Sequence, residues 1–278
     1  MQSSNKKETK VGILEREEGQ IVYEDTGGTG PLVVCVPGMG VSRSVYRFST
    51  PLLAIRGYRV VTMDLRGMGD SSVGWRDYSE SAIASDILAL IQRLNSGPAI
   101  LIGNSIGAGA AVCVAADYPQ LVARLVLAGP FVRQIPVSRL KLVLFRLVLM
   151  WPWGVNTWVN YQANKLYPSA KPDDMDSFNR ALRAKLHERG RLKALQRMAA
   201  TDHRAAEARL DNVHVPSLII MGGADPDFPD PRSEAELVAN RIQGKSVILE
   251  GVGHYPQAEV PNTFVDQTLE FLKSEIHA

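Results

Sequence analysis

The sequence predicts an α/β protein with a mostly parallel, eight-stranded sheet flanked by helices. Three observations carry this prediction: short apolar runs typical of strands covered on both faces, amphipathic stretches between them, and glycine- or proline-rich turns at the junctions. Strands that alternate with helices pair in parallel through right-handed crossovers. Segment 133–205 lacks strand-like runs, so we expect an all-helical insertion there.

The predicted elements are short and are separated by turn residues. Gly19 and the glycine cluster 27–30 divide the first three strands. The first long helix has its apolar residues on one face, as expected for a helix that covers a sheet. Strands are expected at 11–16, 20–25, 32–36, 58–63, 98–102, 124–129, 217–221 and 246–250, and helices at 81–94, 106–118, 233–241 and 264–273.

We expect a single core built from 11–132 and 206–278, an all-helical insertion at 133–205 and a disordered tail at 1–10. The tail is polar and no apolar stretch follows it, which argues against a secretion signal. The insertion carries 14 Lys/Arg against 5 Asp/Glu, whereas the net charge of the whole chain is +2. A solvated set of helix faces is one interpretation of this charge, and attraction of an anionic substrate or surface is the other.

The composition argues against several classes of function. A net charge of +2 indicates neither a nucleic-acid nor a membrane partner. No uncharged apolar run approaches the roughly 20 residues of a membrane span, although Lys141 and Arg146 within the apolar run leave a surface or interfacial helix open. Cys35 and Cys113 lack a C-x-x-C spacing, so we interpret both as small buried residues of a reduced, cytoplasmic protein. The sequence has neither a metal-ligand cluster nor a phosphate-binding G-x-x-x-x-G-K-[ST] loop, so we expect no metal and no cofactor.

A serine at a predicted strand-to-helix turn is the first candidate for chemistry. Ser105 lies in G-N-S-I-G, directly after the apolar run that ends at Ile102. Side chains two residues before and after such a turn would collide, which explains Gly103 and Gly107. The turn would expose the Ser105 hydroxyl and aim the backbone N–H of Ile106 at a bound group.

A serine needs a base, and the base needs an acid that orients it. Of the five histidines, His254 follows the last predicted strand, at the sheet edge where open parallel sheets place their sites. His214 precedes a strand, and His187, His203 and His277 lie in the insertion or the C-terminal tail. The acid is expected in loop 222–230, where Asp225 is the first choice and Asp227 stays open.

The chain order Ser105, Asp225, His254 resembles that of the α/β-hydrolase superfamily. The resemblance covers about 20–132 and 206–275 and rests on four motifs in register. These are the G-N-S-I-G turn, D-x-R-G-x-G-x-S at 64–71, G-G-A-D-P at 222–226 and G-x-G-H-Y-P at 251–256.

The resemblance implies that Ser105 is the nucleophile, His254 the general base and Asp225 the orienting acid. The oxyanion hole would be the backbone N–H groups of Met39 and Ile106. Superfamily members usually have His-Gly where this chain has Pro37-Gly38, so a side chain that often braces this loop is missing here.

The function implied is hydrolysis of a carboxylic ester or lactone of a partly apolar small molecule through an acyl-enzyme, as in a carboxylesterase. The alternatives are a carbon–carbon bond hydrolase of the meta-cleavage type, which the short Pro37–Gly40 loop disfavours, and a non-enzymatic ligand-binding protein on the same fold. The family's cap covers its site, so the apolar start of 133–205 is expected to contribute to the pocket. Candidate substrate-binding residues are Gly38, Trp151, Trp153 and Tyr255.

Overall fold

The protein folds around one eight-stranded sheet, as predicted. The structure is a computed structural model that describes residues 9–134 and 139–274. The strands are short and, at the centre of the sheet, buried along their whole length. Their bounds are β1 Lys10–Arg16, β2 Gly19–Asp25, β3 Leu32–Val36, β4 Arg59–Met63, β5 Ala99–Asn104, β6 Val122–Ala128, β7 Ser217–Gly222 and β8 Lys245–Leu249.

The strand order is β1-β2-β4-β3-β5-β6-β7-β8. Both pairs that involve β2 are antiparallel, and every other pair is parallel. The carboxyl ends of β3 and β5 to β8 therefore meet at one edge, where the loops that follow them can share a site. The prediction of a mostly parallel sheet is confirmed.

Helices cover both faces of the sheet and form the segment between β6 and β7. The N-caps follow local chemistry: the Ser79 hydroxyl accepts from the Ala82 N–H at the start of α2, and Asp230 caps α9. The helices are α1 Ser49–Ala54, α2 Glu80–Leu94, α3 Ile106–Asp117, α4 Arg139–Val148, α5 Gly154–Lys165, α6 Met175–His187, α7 Arg191–Met198, α8 Arg204–Glu207, α9 Pro231–Arg241, α10 Pro256–Glu259 and α11 Pro261–Lys273.

Helix α3 lies at the centre of the molecule. Ten of its twelve residues are buried, and its mixture of Gly, Ala and Val lets it lie close to the sheet and to α2. This position fixes the turn that joins β5 to α3. The turn is held between the sheet edge and the helices that follow β6.

The predicted domain bounds remain predictions, with two points to add. The tail predicted at 1–10 overlaps the described residues only at Thr9 and Lys10, and Lys10 already begins β1. Within the described part of the insertion, every regular element is a helix. No helix in the described ranges has the length and apolar character needed to cross a membrane. Cys35 and Cys113 are both buried, and burial raises the pKa of the Cys113 thiol to about 12.

Candidate active site

Ser105 has a strained backbone at the turn between β5 and α3. Its φ is +57° and its ψ is −126°, a combination that residues with a side chain rarely adopt. The conformation is held by the Ser105 N–H, which donates to the Ala128 carbonyl at 3.1 Å, and by the start of α3. This strain presents the hydroxyl at the edge of the sheet.

The glycines on either side of Ser105 are required by space. A Cβ on Gly103 would lie 2.6 Å from Gly107 O, and one on Gly107 would lie 2.4 Å from Pro37 O. Both distances are well inside van der Waals contact, so any larger residue would force the backbone apart. The spacing in the sequence predicted this steric arrangement.

His254 and Asp225 form a buried pair at the same edge. His254 Nδ1 lies 2.7 Å from Asp225 Oδ2, and both side chains are almost fully buried. A carboxylate only accepts, so Nδ1–H donates and Nε2 is left as the nitrogen that can take a proton. Burial disfavours the imidazolium, but the charge and hydrogen bond of Asp225 outweigh it and raise the pKa of His254 to about 9.

The three carboxylates of loop 222–230 have different partners. Asp225 pairs with His254, and Asp230 accepts from the Ser233 N–H at 3.0 Å as the N-cap of α9. Asp227 accepts from the Tyr161 hydroxyl, and its Oδ2 lies 3.8 Å from His254 Nδ1. Burial raises the pKa of Asp227, and the opposing charge of His254 offsets only part of the rise. Of the two candidates that the sequence left open, Asp225 is therefore the one at hydrogen-bonding distance.

Asn104 ties the loops of this edge together. Its Nδ2 donates to Ala128 O at 2.9 Å and to His254 O at 3.1 Å. A Cβ added at Gly38 would lie 2.9 Å from Ser105 Cβ, so the loop after β3 packs directly against the serine. The backbones around Ser105 and His254 are thus joined by one buried amide.

A cavity of about 450 Å³ opens over these residues and has a mainly apolar lining. Ser105, Met39, Ile106, His254 and Tyr255 all contribute to its wall. The N–H groups of Met39 and Ile106 have no acceptor among the described residues, which leaves both able to donate to a bound oxygen. No hydrogen bond joins Ser105 to His254 in the described ranges, and in substrate-free enzymes this bond is often long.

The predicted pocket residues divide into two groups. Tyr255 lines the cavity, and Gly38 packs beside the serine. Trp151 and Trp153 instead lie at the surface, 78% and 51% exposed, and neither lines the cavity. The indole in the wall is that of Trp158, which lies on α5 and donates to Gly40 O at 3.1 Å.

The expectation that the apolar start of 133–205 contributes to the pocket agrees with Phe145 and Val148 in the cavity wall, but the aromatic and histidine side chains on the other side of the cavity were not predicted. Phe131 stacks on Phe228 with ring centroids 4.6 Å apart and meets His254 edge-on at 5.8 Å. His203 lies 5.4 Å from Phe131, and its Nδ1 is 2.7 Å from Glu80 Oε1, a fully buried carboxylate. A Cβ on Gly109 would lie 2.1 Å from this carboxylate oxygen, so the glycine in α3 was a signal for a group packed there.

Among the described residues, one group of side chains has ligand atoms close enough to hold a metal ion. Asp225, Asp227 and His254 each offer one atom within 4.8 Å of the others. Here Nδ1 of the imidazole is already hydrogen-bonded to Asp225, so a metal on that nitrogen would have to replace the bond. The existing contacts fit an oriented imidazole better than a metal ligand set.

Comparison with known proteins identifies relatives of this chain. Residues 33–267 match the model of the alpha/beta hydrolase family. A putative carbamate hydrolase, RutD, from Agrobacterium fabrum is 27% identical over 256 residues, which cover 90% of this chain and 96% of that protein.

Solved structures show the same fold. A bromoperoxidase from Bacillus anthracis superimposes with a TM-score of 0.81 at 24% identity and covers 96% of this chain and 100% of its own. An enol-lactonase from Burkholderia xenovorans superimposes with a TM-score of 0.80 at 20% identity and covers 95% and 100%. Since the family model matches far more than half of the sequence, the chain belongs to the alpha/beta hydrolase family.

Proposed function

We propose that this hydrolase cleaves a carboxylic ester or lactone of a partly apolar small molecule through an acyl-enzyme on Ser105. One observation carries the proposal: a serine in a strained turn shares a cavity with an imidazole held by a buried carboxylate. Serine is a weak nucleophile until a neighbouring base takes its proton, and this pair supplies such a base.

In the first half-reaction, Ser105 Oγ attacks the carbonyl carbon while its proton passes to His254 Nε2. The negative oxygen that forms accepts hydrogen bonds from the N–H groups of Met39 and Ile106, each worth on the order of 3 kcal/mol of transition-state stabilisation. The carbon–oxygen bond to the alcohol then breaks, and the leaving alkoxide takes the proton back from His254. Asp225 stays ionised and stabilises the imidazolium throughout.

In the second half-reaction, water replaces the alcohol. His254 takes a proton from the water as its oxygen attacks the acyl carbon, and Ser105 recovers that proton when the acyl group leaves as a carboxylic acid. No oxidant, reductant or cofactor is consumed. The apolar wall suits an acyl or alcohol group with a sizeable hydrocarbon part.

The printed names of the relatives are compatible with carbonyl chemistry of this type. A carbamate hydrolase and an enol-lactonase both open a bond at a carbonyl next to a heteroatom. Two competing proposals remain: carbon–carbon hydrolysis of the meta-cleavage type, and ligand binding without turnover. A covalent label distinguishes a binding protein from a hydrolase with a reactive serine.

The test is labelling with a fluorophosphonate probe, followed by hydrolysis of a p-nitrophenyl ester series of rising acyl length. Wild-type protein should label, and Ser105→Ala should not, with kcat lower by about a million-fold. Ser177→Ala, at an exposed serine of α6, is the matched control and should behave as wild type. Well-folded wild type that neither labels nor turns over any ester would contradict the proposal and favour the binding protein.

A further inference from the structure

The exposed apolar side chains of the described residues cluster at one end of the helical insertion. Eight of the thirteen large apolar side chains that are exposed in the described residues fall within eleven positions of α4 and the turn after it. Monomeric soluble proteins rarely present so many together, and such a patch usually has an occupant. We call these residues the apolar patch: Val143, Leu144, Phe145, Leu147, Val148, Met150, Trp151 and Trp153.

Hydrogen bonds from side chains to backbone carbonyls hold the segment of the apolar patch in place. Leu149 is buried beneath it, and Gln196 of α7 donates to Leu149 O at 2.7 Å. The Trp153 indole N–H donates to Leu147 O at 2.9 Å, which keeps the ring beside α4. The end of α4 is therefore anchored to the rest of the insertion while its apolar side chains face outward.

The stretch of sequence that contains the patch carries charge of one sign. From Tyr118 to Pro172 the sequence has no acidic residue, and α4 itself carries Arg139, Lys141 and Arg146. A helix with an apolar face and basic residues, too short to span a bilayer, is the usual form of an interfacial helix on anionic lipid. A pair of exposed tryptophans at the end of such a helix fits the same setting, since indoles favour the membrane–water interface.

We propose that the apolar patch docks this protein onto an anionic lipid surface. The charge of Arg146 disfavours a second copy of the chain as the occupant, because a two-fold contact through α4 would bring the two Arg146 side chains towards each other. The longest segment outside the described residues, 1–8, contains one apolar residue and has little to cover the patch with. An anionic lipid surface offers an apolar interior for the patch and negative headgroups for the basic residues near it in the sequence.

The patch adjoins the cavity of the candidate active site. Phe145 and Val148 belong to both, since each is more than a third exposed and each lines the cavity wall. Docking through α4 would therefore bring the cavity mouth to the lipid surface, where apolar esters concentrate. This consequence rests on the proposed function, whereas the docking itself does not.

The test is sedimentation of the full-length protein with vesicles, measured without any turnover. Vesicles of phosphatidylcholine with phosphatidylglycerol should bind the wild type at least about tenfold more strongly than phosphatidylcholine alone, because each basic residue near an anionic surface adds several-fold. High salt should reduce this preference. Leu144→Gln/Leu147→Gln changes two patch residues that do not line the cavity, and it should weaken binding by about tenfold or more.

The matched control is Val11→Gln/Ile55→Gln, which removes two apolar side chains that are more exposed than Leu144 and Leu147, on β1 and at the end of α1. It should bind as wild type does. Hydrolysis of a short soluble ester should be unchanged in both variants, so a failure of docking is distinguishable from a failure of the proposed chemistry. Equal binding by the two variants, or no vesicle binding by the wild type, would overturn the proposal. A dimer in solution that Leu144→Gln/Leu147→Gln converts to a monomer would overturn it in favour of a second copy.

Discussion

Two histidines line the cavity, His254 and His203. Each contacts a carboxylate at the same distance, but the two lie in different parts of the fold. In each pair, Nδ1 lies 2.7 Å from an oxygen of a buried carboxylate. His254 and Asp225 stand on loops after two neighbouring strands, β8 and β7. His203 belongs to the insertion, and its partner Glu80 begins α2 of the core.

The two pairs differ in the partner of the carboxylate oxygen that does not contact the imidazole. Asp225 Oδ1 accepts from the Asp227 N–H at 3.0 Å, a bond within its own loop that fixes the carboxylate. Glu80 Oε2 accepts from the Ala206 N–H at 3.1 Å, at the start of α8, where the insertion returns to the core. Glu80 therefore joins two parts of the chain. The first imidazole–carboxylate contact thus lies within the loops at the strand ends, whereas the second joins segment 133–205 to α2.

The largest expected difference is in catalysis. Asp225→Asn should lower kcat/KM for a p-nitrophenyl ester by about 10⁴-fold, because an asparagine favours the wrong tautomer of His254. Asp227→Asn is the matched control in the same loop, and its loss should stay below about tenfold, since Asp227 lies 3.8 Å from the imidazole and bonds Tyr161. Steady-state kinetics of both variants decide the point, and the reverse ranking would make Asp227 the acid.

Glu80→Gln should act mainly on stability. The side-chain amide keeps the size of the carboxylate and its oxygen can still accept from the Ala206 N–H, but its NH2 group then faces His203 Nδ1. The imidazole must change tautomer to accept from it, and the bond to a buried carboxylate becomes a weaker one to a neutral amide. We expect a loss of about 2 kcal/mol in the free energy of unfolding, measured by urea titration. The exposed Glu236 of α9 offers the control Glu236→Gln, which should be neutral.

The same variant tests whether the second pair takes part in the chemistry. With a small ester, kcat of Glu80→Gln should remain within about threefold of wild type, because the residue acts through attachment. If kcat falls as far as in Asp225→Asn while the unfolding free energy is unchanged, the distinction between the two pairs is wrong.

The sequence predicted the first pair and missed the second for a physical reason. Ser105 was marked by the glycines that its turn requires, and His254 by its place after the last strand, so both follow from strand order and local sterics. His203 and Glu80 are 123 positions apart, and their contact depends on how the insertion packs on α2. The local sequence pattern does not encode that packing. Gly109, in a helix rich in Ala and Val, was the one local indication, because a side chain there would collide with Glu80.

The tryptophans of the insertion illustrate the same limit. Trp151, Trp153 and Trp158 occur within eight positions, and only Trp158 reaches the cavity. Apolar character alone did not distinguish the indole on α5, which packs inward, from the two in the turn before it, which remain exposed. The strands were easier to predict, since runs buried on both faces admit few alternatives.

The smallest expected difference is the pH dependence of kcat/KM. In the proposed mechanism His254 must be neutral to take the serine proton. Its pKa is raised to about 9, above the ordinary value near 6.5, because Asp225 stabilises the charged form. Activity should therefore rise as pH increases towards about 9. The groups that face the ring are Asp225, Asp227 and the aromatic rings of Phe131, Phe228 and Tyr255. In the residual activity of Asp225→Asn the rise should move to lower pH, because the largest charge that favours the imidazolium is gone, whereas in Glu80→Gln it should remain in place. A profile that moves in Glu80→Gln instead would mean that the second pair sets the charge of the base, and the two pairs would then act as one network.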